Sequence, residues 1–198
     1  MVRALRAGST LHGVLELVRA LRARHDLPIV LFSYCNPILS QAEGVAATMR
    51  RIKEAGVDAL LIVDAPPEHA SLLKDPALEH GLEWVGLMAP TSPVARRAKV
   101  GASASGFVYA VSLTGVTGAA LDAEDDALRR YLVELRSATT LPLCVGFGIR
   151  TPAQVRALAP LVDGVVVGSA LVRAGIDGVE PLRTLVGSLA GALSRASR

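Results

Sequence analysis

The sequence predicts a parallel α/β fold, and three observations predict it. Short apolar runs of strand length alternate with stretches of helical periodicity, with no linker or break in composition between them. The runs are apolar on both faces, as in residues 29–34 (IVLFSY) and 59–63 (ALLIV), which a parallel sheet covered by helices requires. Two consecutive runs near the C-terminus each end in glycine, and the second opens directly onto a helix N-terminus. That last stretch, residues 143–173, organises the reading. A strand over 143–145 leads into Gly146-Phe147-Gly148, and Thr151, Pro152 and Gln154 supply an N-cap, a first-turn proline and a capping-box partner. A second strand over 164–167 leads through Gly168 to Ser169, read as the cap of a further helix. Such a helix start leaves unpaired N–H groups at the positive end of a dipole, which suits an anion. The simpler alternative is a pair of tight turns.

The totals fit one domain over the 198 residues. The chain is 51% hydrophobic, enough for a large buried core, and its mean hydropathy is +0.42. No apolar run approaches the roughly 18 residues of a membrane span, and the N-terminal MVRALRAGSTLHG lacks the continuous apolar region of a secretory signal. Cys35 and Cys144 read as small buried hydrophobes in a reducing cytoplasm, with no metal or redox spacing. A net charge of +3 is slight, and the arginines, such as Arg19, Arg22 and Arg24, are spread over polar helix faces; nucleic-acid binding is not expected. His12, His25, His69 and His80 lie far apart on helices or helix ends, so no metal site is expected.

The elements follow in order. Thr10 caps a helix whose stripe is Val14, Leu15, Val18 and Leu21, and Pro28 stops it. After the strand over 29–34, Ser40 and Glu43 form a capping box for a helix striped by Val45, Met49 and Ile52 and ended by Gly56. The strand over 59–63 precedes Pro66-Pro67, which opens a helix that Pro76 kinks or restarts before Gly81. Residues 83–88 (EWVGLM) form a strand with Trp84 in the core, Ser92-Pro93 starts a helix ending near Gly101, and residues 106–111 (GFVYAV) form another strand. A glycine-bearing loop over 112–119 follows, then a helix striped by Leu128, Tyr131, Leu132 and Leu135. The last helix, over 179–193, aligns Leu182, Leu185, Val186, Leu189 and Leu193.

This makes six strands. A closed (β/α)8 barrel needs eight, typically over ~250 residues, and begins with a strand, whereas this sequence begins with a helix. Counting therefore leaves two options: an open doubly wound sheet, or a barrel without its first strand, first helix and second strand. In barrels, the loops after the last two strands and a short extra helix form the recurrent phosphate site, which matches residues 143–173.

The loop decides between them by resemblance. Tyr109-Ala110-Val111-Ser112-Leu113-Thr114-Gly115-Val116-Thr117-Gly118-Ala119 resembles the loop after strand 6 of the tryptophan synthase α-subunit family. The Gly-Val-Thr-Gly core after a Tyr-bearing strand is more specific than Gly-Phe-Gly or Gly-Ser-Ala, which other phosphate-binding barrels share. Residues 29–37, 61–66 (LIVDAP), 146–149 and 168–170 agree in order and spacing. The resemblance covers essentially the whole chain from the family's second helix onward. It implies the α/β, (β/α)8 TIM-barrel family fold, here an incomplete barrel of about six βα units.

The resemblance also implies an activity, the retro-aldol cleavage of indole-3-glycerol phosphate to indole and glyceraldehyde 3-phosphate. Partnership with a tryptophan synthase β subunit in an α2β2 assembly is implied too; the pyridoxal phosphate belongs to that subunit, and no cofactor is expected here. Main-chain groups of Gly118, Gly148, Gly168 and Ser169 would hold the phosphate. Phe32, Tyr34, Thr117, Phe147 and Ile149 would line the substrate pocket, and Tyr109 would support catalysis near the glycerol carbons. Without the resemblance, Tyr34 and Tyr109 read as core residues at a rim, and Thr117 as bonded within its own loop. Asn36-Pro37 and Pro66-Pro67 read as turn chemistry or as part of a β-subunit surface. The family's catalytic Glu, at the end of strand 2, and the Asp after it precede the point where the match begins. This chain alone is therefore expected to be inactive, with Asp64 a weak candidate whose alternative role is a loop or cap partner. The alternative function is a non-catalytic binder of a phosphate ligand, or an activator of a β subunit. Open apolar strand edges also lead us to expect poor solubility or dimerisation of the isolated chain.

Overall fold

The computed structural model describes residues 6, 8–65, 70–112, 125–146 and 148–194. Its contacts divide the chain into two compact units, Met1–Gly86 with Ser103–Gly106, and Leu87–Ala102 with Phe107–Arg198.

The first unit holds α1 (Leu11–Arg22), β1 (Val30–Ser33), the short α2 (Asn36–Leu39), α3 (Val45–Glu54), β2 (Ala59–Ile62), α4 (Ser71–Glu79) and β3 (Glu83–Trp84). The three strands form one parallel sheet in chain order, with Leu31 opposite Leu60 and Leu60 opposite Trp84. Parallel neighbours need a crossover, and α3 and α4 supply it. Leu15, Val18, Ile38, Met49, Ile52, Leu60, Leu73, Leu82 and Trp84 meet in one core. Thr10 Oγ1 accepts the Gly13 N–H at 3.2 Å, so the expected cap on α1 forms.

Several local expectations change. The stripe on α1 is half as wide as read: Leu15 and Val18 are buried, whereas Val14 and Leu21 are exposed. The helix ends at Arg22, well before Pro28, where the Arg22 side chain turns onto carbonyls of the following chain. Arg22 is thus a structural tie rather than part of a solvated face. On β1, Leu31 is buried but Phe32 is exposed, so the strand is not covered on both faces. Ser40 is the C-cap of α2, and α3 begins later through Gly44, whose φ of +80° favours glycine. Glu43 therefore closes no capping box; its carboxylate accepts the Thr48 hydroxyl at 3.3 Å and pairs with Arg51 at 2.9 Å. Pro76 sits inside α4 without restarting it. Pro66, Pro67 and His69 lie outside the described residues.

The second unit's sheet has the order β4 (Gly86–Met88), β5 (Val108–Val111), β6 (Leu143–Gly146) and β7 (Gly164–Val166). The run read as one strand over 83–88 is divided at Val85 between β3 and β4. Around the sheet lie α5 (Val94–Ser103), α6 (Asp126–Ala138), α7 (Pro152–Leu158), α8 (Ser169–Asp177) and α9 (Val179–Ser194). The predicted stripe on α6 is fully realised: Leu128, Tyr131, Leu132 and Leu135 are buried against Val108, Leu143, Val145, Val155 and Leu158. Asp125 caps α6 by accepting the Ala127 N–H at 2.8 Å. On α9, Leu189 is buried while Val186 is exposed, so that stripe is narrower than its spacing suggested. No helix among the described residues is long and apolar enough to cross a membrane.

Candidate functional site

In the second unit, β6 and β7 end on the loops that the sequence singled out. After β6 the chain passes Gly148, whose φ of +76° lies in the region that glycine alone enters without strain. The capping box of α7 then forms as predicted. Thr151 Oγ1 accepts the Gln154 N–H at 3.3 Å, and Gln154 Oε1 accepts the Thr151 N–H at 3.1 Å. Gln154 Oε1 also accepts the Arg150 N–H at 2.8 Å, which fixes the chain just beyond Gly148.

After β7, α8 starts at Ser169. Its N-cap is Gly168, which makes no side-chain cap bond, so Ser169 is the first helical residue and not the cap. The first helical bond runs from the Val172 N–H to the Gly168 carbonyl at 3.0 Å. The three amides before it, on Ser169, Ala170 and Leu171, are those for which a helix provides no internal acceptor. They face the positive end of a nine-residue helix.

Arg150, Ser169, Ala170, Arg173, Ala174 and Asp177 line one cavity of about 240 Å³. The loop after β6 and the first turn of α8 thus share a space, and Arg150 and Arg173 bring positive charge to its lining. Asp177, at the last turn of α8, is the one carboxylate of that lining. Sequence reasoning missed both arginines. Arg173 could have been found, because it stands four residues after Ser169 on the same helix face. A larger, open depression of about 370 Å³ is lined by Asp126, Arg129, Arg130, Val133 and Glu134, all from α6. Its alternating charges belong to one solvated helix face and offer no convergent chemistry.

Tyr109 pairs with Cys144 across β5 and β6, and it is buried. A Cβ built at Gly146 would stand 2.5 Å from Tyr109 Cζ and nearer still to the hydroxyl oxygen, so Gly146 makes room for the phenol. Burial, and then the neighbouring Cys144, push the phenol up to about 12. It stays protonated at neutral pH and can act as a hydrogen-bond donor, not as a base. Ile149 is buried in the core of this unit. Gly118, Thr117 and Phe147 lie outside the described residues.

Phe32, Tyr34 and Asp64 belong to the first unit. Phe32 and Tyr34 are exposed on and just after β1. Asp64, two residues past β2, accepts the Cys35 N–H on Oδ1 at 2.7 Å, the loop-partner role that its position allowed. Burial, then the Asp64 hydrogen bond and charge, push the Cys35 thiol up to about 11. Burial, then Asp163, raises Cys144. Both cysteines are half-buried rather than buried, and both remain neutral thiols rather than nucleophiles. Among the described residues, no group of three or more His, Cys, Asp or Glu side chains could hold a metal ion.

Comparison with known proteins identifies the family. A family profile described as "Tryptophan synthase alpha chain" matches residues 1–185. The chain belongs to the tryptophan synthase alpha chain family. It is 46% identical to the tryptophan synthase alpha chain of Geobacter sp. (strain M21), over 99% of this chain and 74% of that one. A Citrifermentans bemidjiense relative is likewise 46% identical over the same shares. Among solved structures, Mycobacterium tuberculosis tryptophan synthase is 36% identical with a TM-score of 0.86, over 96% of this chain and 71% of that one. The tryptophan synthase a2b2 complex of Pyrococcus furiosus gives 34% and 0.83, over 96% and 77%. The chain therefore has the fold of the alpha chain family's TIM barrels, here as an incomplete barrel seen as parallel strands with helical crossovers in each of two units.

Proposed function

We propose that this chain holds the phosphate end of indole-3-glycerol phosphate in the second unit, on the amides of Ser169, Ala170 and Leu171 and the loop around Gly148. As an alpha chain family member it is an indole-3-glycerol-phosphate lyase by family, acting in tryptophan biosynthesis, and its partner is the β subunit of an α2β2 assembly. The observation that carries the site is the cavity that Arg150 shares with Ser169 and Ala170 of the first turn of α8, whose lining holds two arginines against the one carboxylate of Asp177. A phosphate monoester dianion matches that charge, and a helix N-terminus binds it through fixed dipoles that need no reorganisation. Tyr109 supplies a neutral donor near the bond that breaks, and Gly118, Thr117 and Phe147 are assigned to the proposed substrate contacts. The reaction moves protons and takes no cofactor from this chain; the pyridoxal phosphate is the β subunit's. The proposed compartment is the cytoplasm, which suits two cysteines that remain free thiols.

In these 198 residues the strand-end carboxylate is Asp64, and its Oδ1 is already engaged by the Cys35 N–H. That favours a second reading, in which this chain by itself binds the phosphate ligand and activates a β subunit without turning over. Calorimetry with glycerol 3-phosphate, beside a cleavage assay with and without β subunit, separates the two. Phosphate binding with little or no cleavage is the expected result for this polypeptide. Failure to bind glycerol 3-phosphate would contradict the cradle, and cleavage at the rate of a longer relative would contradict the minor part given to Asp64.

A further inference from the structure

Two aspartates with no part in the proposed site stand at matching places. In the first unit Asp58 precedes β2: its N–H donates to the Ile29 carbonyl at 2.9 Å, and its Oδ2 accepts the Ile29 N–H at 2.7 Å and Arg22 Nη2 at 2.5 Å. In the second unit Asp163 precedes β7: its N–H donates to the Leu143 carbonyl at 2.8 Å, and its Oδ2 accepts the Leu143 N–H at 2.7 Å and Arg136 Nη2 at 2.5 Å. Each arginine lies in the last turn of the helix that leads into its strand pair. The sequence repeats as well. Leu-Arg, four residues and Leu-Pro-Ile over 21–29 match Leu-Arg, four residues and Leu-Pro-Leu over 135–143, and Val-Asp-Ala over 57–59 matches Val-Asp-Gly over 162–164. The same Leu-Arg to Leu-Pro spacing and the same three bonds at each aspartate, in two separate units, mark a built device rather than two chance surface pairs.

We propose that the chain carries one latch in two copies, Arg22–Asp58 and Arg136–Asp163, each fastening an incoming helix to the base of its strand pair and each loosening when its aspartate takes up a proton. The charged and titratable groups near Asp58 are Arg22 and Lys53; those near Asp163 are Arg136 and the Cys144 thiol. Desolvation works against the Asp58 charge, but the Ile29 amide and Arg22 outweigh it and hold the carboxyl below the ordinary carboxylate range. The Leu143 amide and Arg136 do the same for Asp163. An aspartate lowered in the folded state stabilises fully above its unfolded value of about 3.9 and loses that contribution as pH falls through its folded value. Arg22 also donates to the Gly56 carbonyl at 2.7 Å and the Leu27 carbonyl at 3.0 Å, so the first latch keeps neutral bonds after protonation.

The test is carboxylate NMR of the full 198-residue chain through acid titration, with urea unfolding at neutral and acid pH. Both aspartates should titrate below about 3.9. Arg22→Gln should raise the midpoint of Asp58 alone, and Arg136→Gln that of Asp163 alone. The urea midpoint of each variant should lie below wild type at pH 7, with the gap closing in acid. An aspartate titrating at its ordinary value, an unmoved titration in its arginine variant, or a gap that ignores pH would overturn the proposal. Should a variant not fold, the wild-type titration of Asp58 and Asp163 decides by itself.

Discussion

Replacing Gly146 with alanine is expected to destabilise the chain by about 3 kcal/mol, at the upper end of overpacking costs. The added Cβ would meet Tyr109 at Cζ, at 2.5 Å, and at the hydroxyl, not a flexible side-chain tip that could swing aside. Tyr109 cannot yield cheaply, because it is buried, and its backbone is held in register with Cys144 while Gly146 pairs with Val111 on the same two strands. The neighbouring pair shows the same economy: a Cβ at Gly164 would lie 2.9 Å from Cys144 Sγ. Removing the obstruction should restore tolerance. In a Tyr109→Ala background the further loss from Gly146→Ala should shrink, giving a coupling of about 1–2 kcal/mol in a double-mutant cycle measured by urea unfolding. Additive losses would mean that the glycine is needed for some other reason.

Ala170→Asp should weaken binding of glycerol 3-phosphate by more than about 100-fold while leaving the fold as stable or slightly more so. Ala170 is the second helical residue of α8 and lines the cavity. A carboxylate in a first helical turn gains about 0.3–1 kcal/mol from the helix dipole. The same carboxylate competes for the free amides and repels a dianion. At a separation of about 5 Å and an effective dielectric near 20, each pair of unit charges costs about 3 kcal/mol. Opposite signs for stability and affinity are what distinguish a ligand cradle from a helix end that merely needs capping. Calorimetry and thermal unfolding on the same sample read both, and unchanged affinity would move the phosphate elsewhere.

Much of the fold was legible because periodicity and capping are local. The Thr151–Gln154 box, the Thr10 cap and the stripe on α6 needed only residues within two turns of one another. The departures have tertiary causes. Gly44 moved the start of α3 past the apparent box at Ser40 and Glu43, and coverage left Val14, Leu21, Phe32 and Val186 exposed although their spacing matched buried neighbours. In the candidate site, Gly148, Gly168 and Ser169 could be read from glycine-ended strands, and Arg173 from its place four residues after Ser169, but Arg150 could not, since a loop arginine in sequence carries no sign of what it faces. The Arg–Asp latches were hidden for the same reason: 36 residues separate Arg22 from Asp58, and 27 separate Arg136 from Asp163.

The most direct measurement of the phosphate cradle is the amide spectrum of the chain as glycerol 3-phosphate is added. Bound phosphate should shift the N–H signals of Ser169, Ala170 and Leu171 together with that of Gly148, and sulfate should move the same set more weakly. If those amides stay in place while others respond, the phosphate site proposed for this alpha chain is wrong.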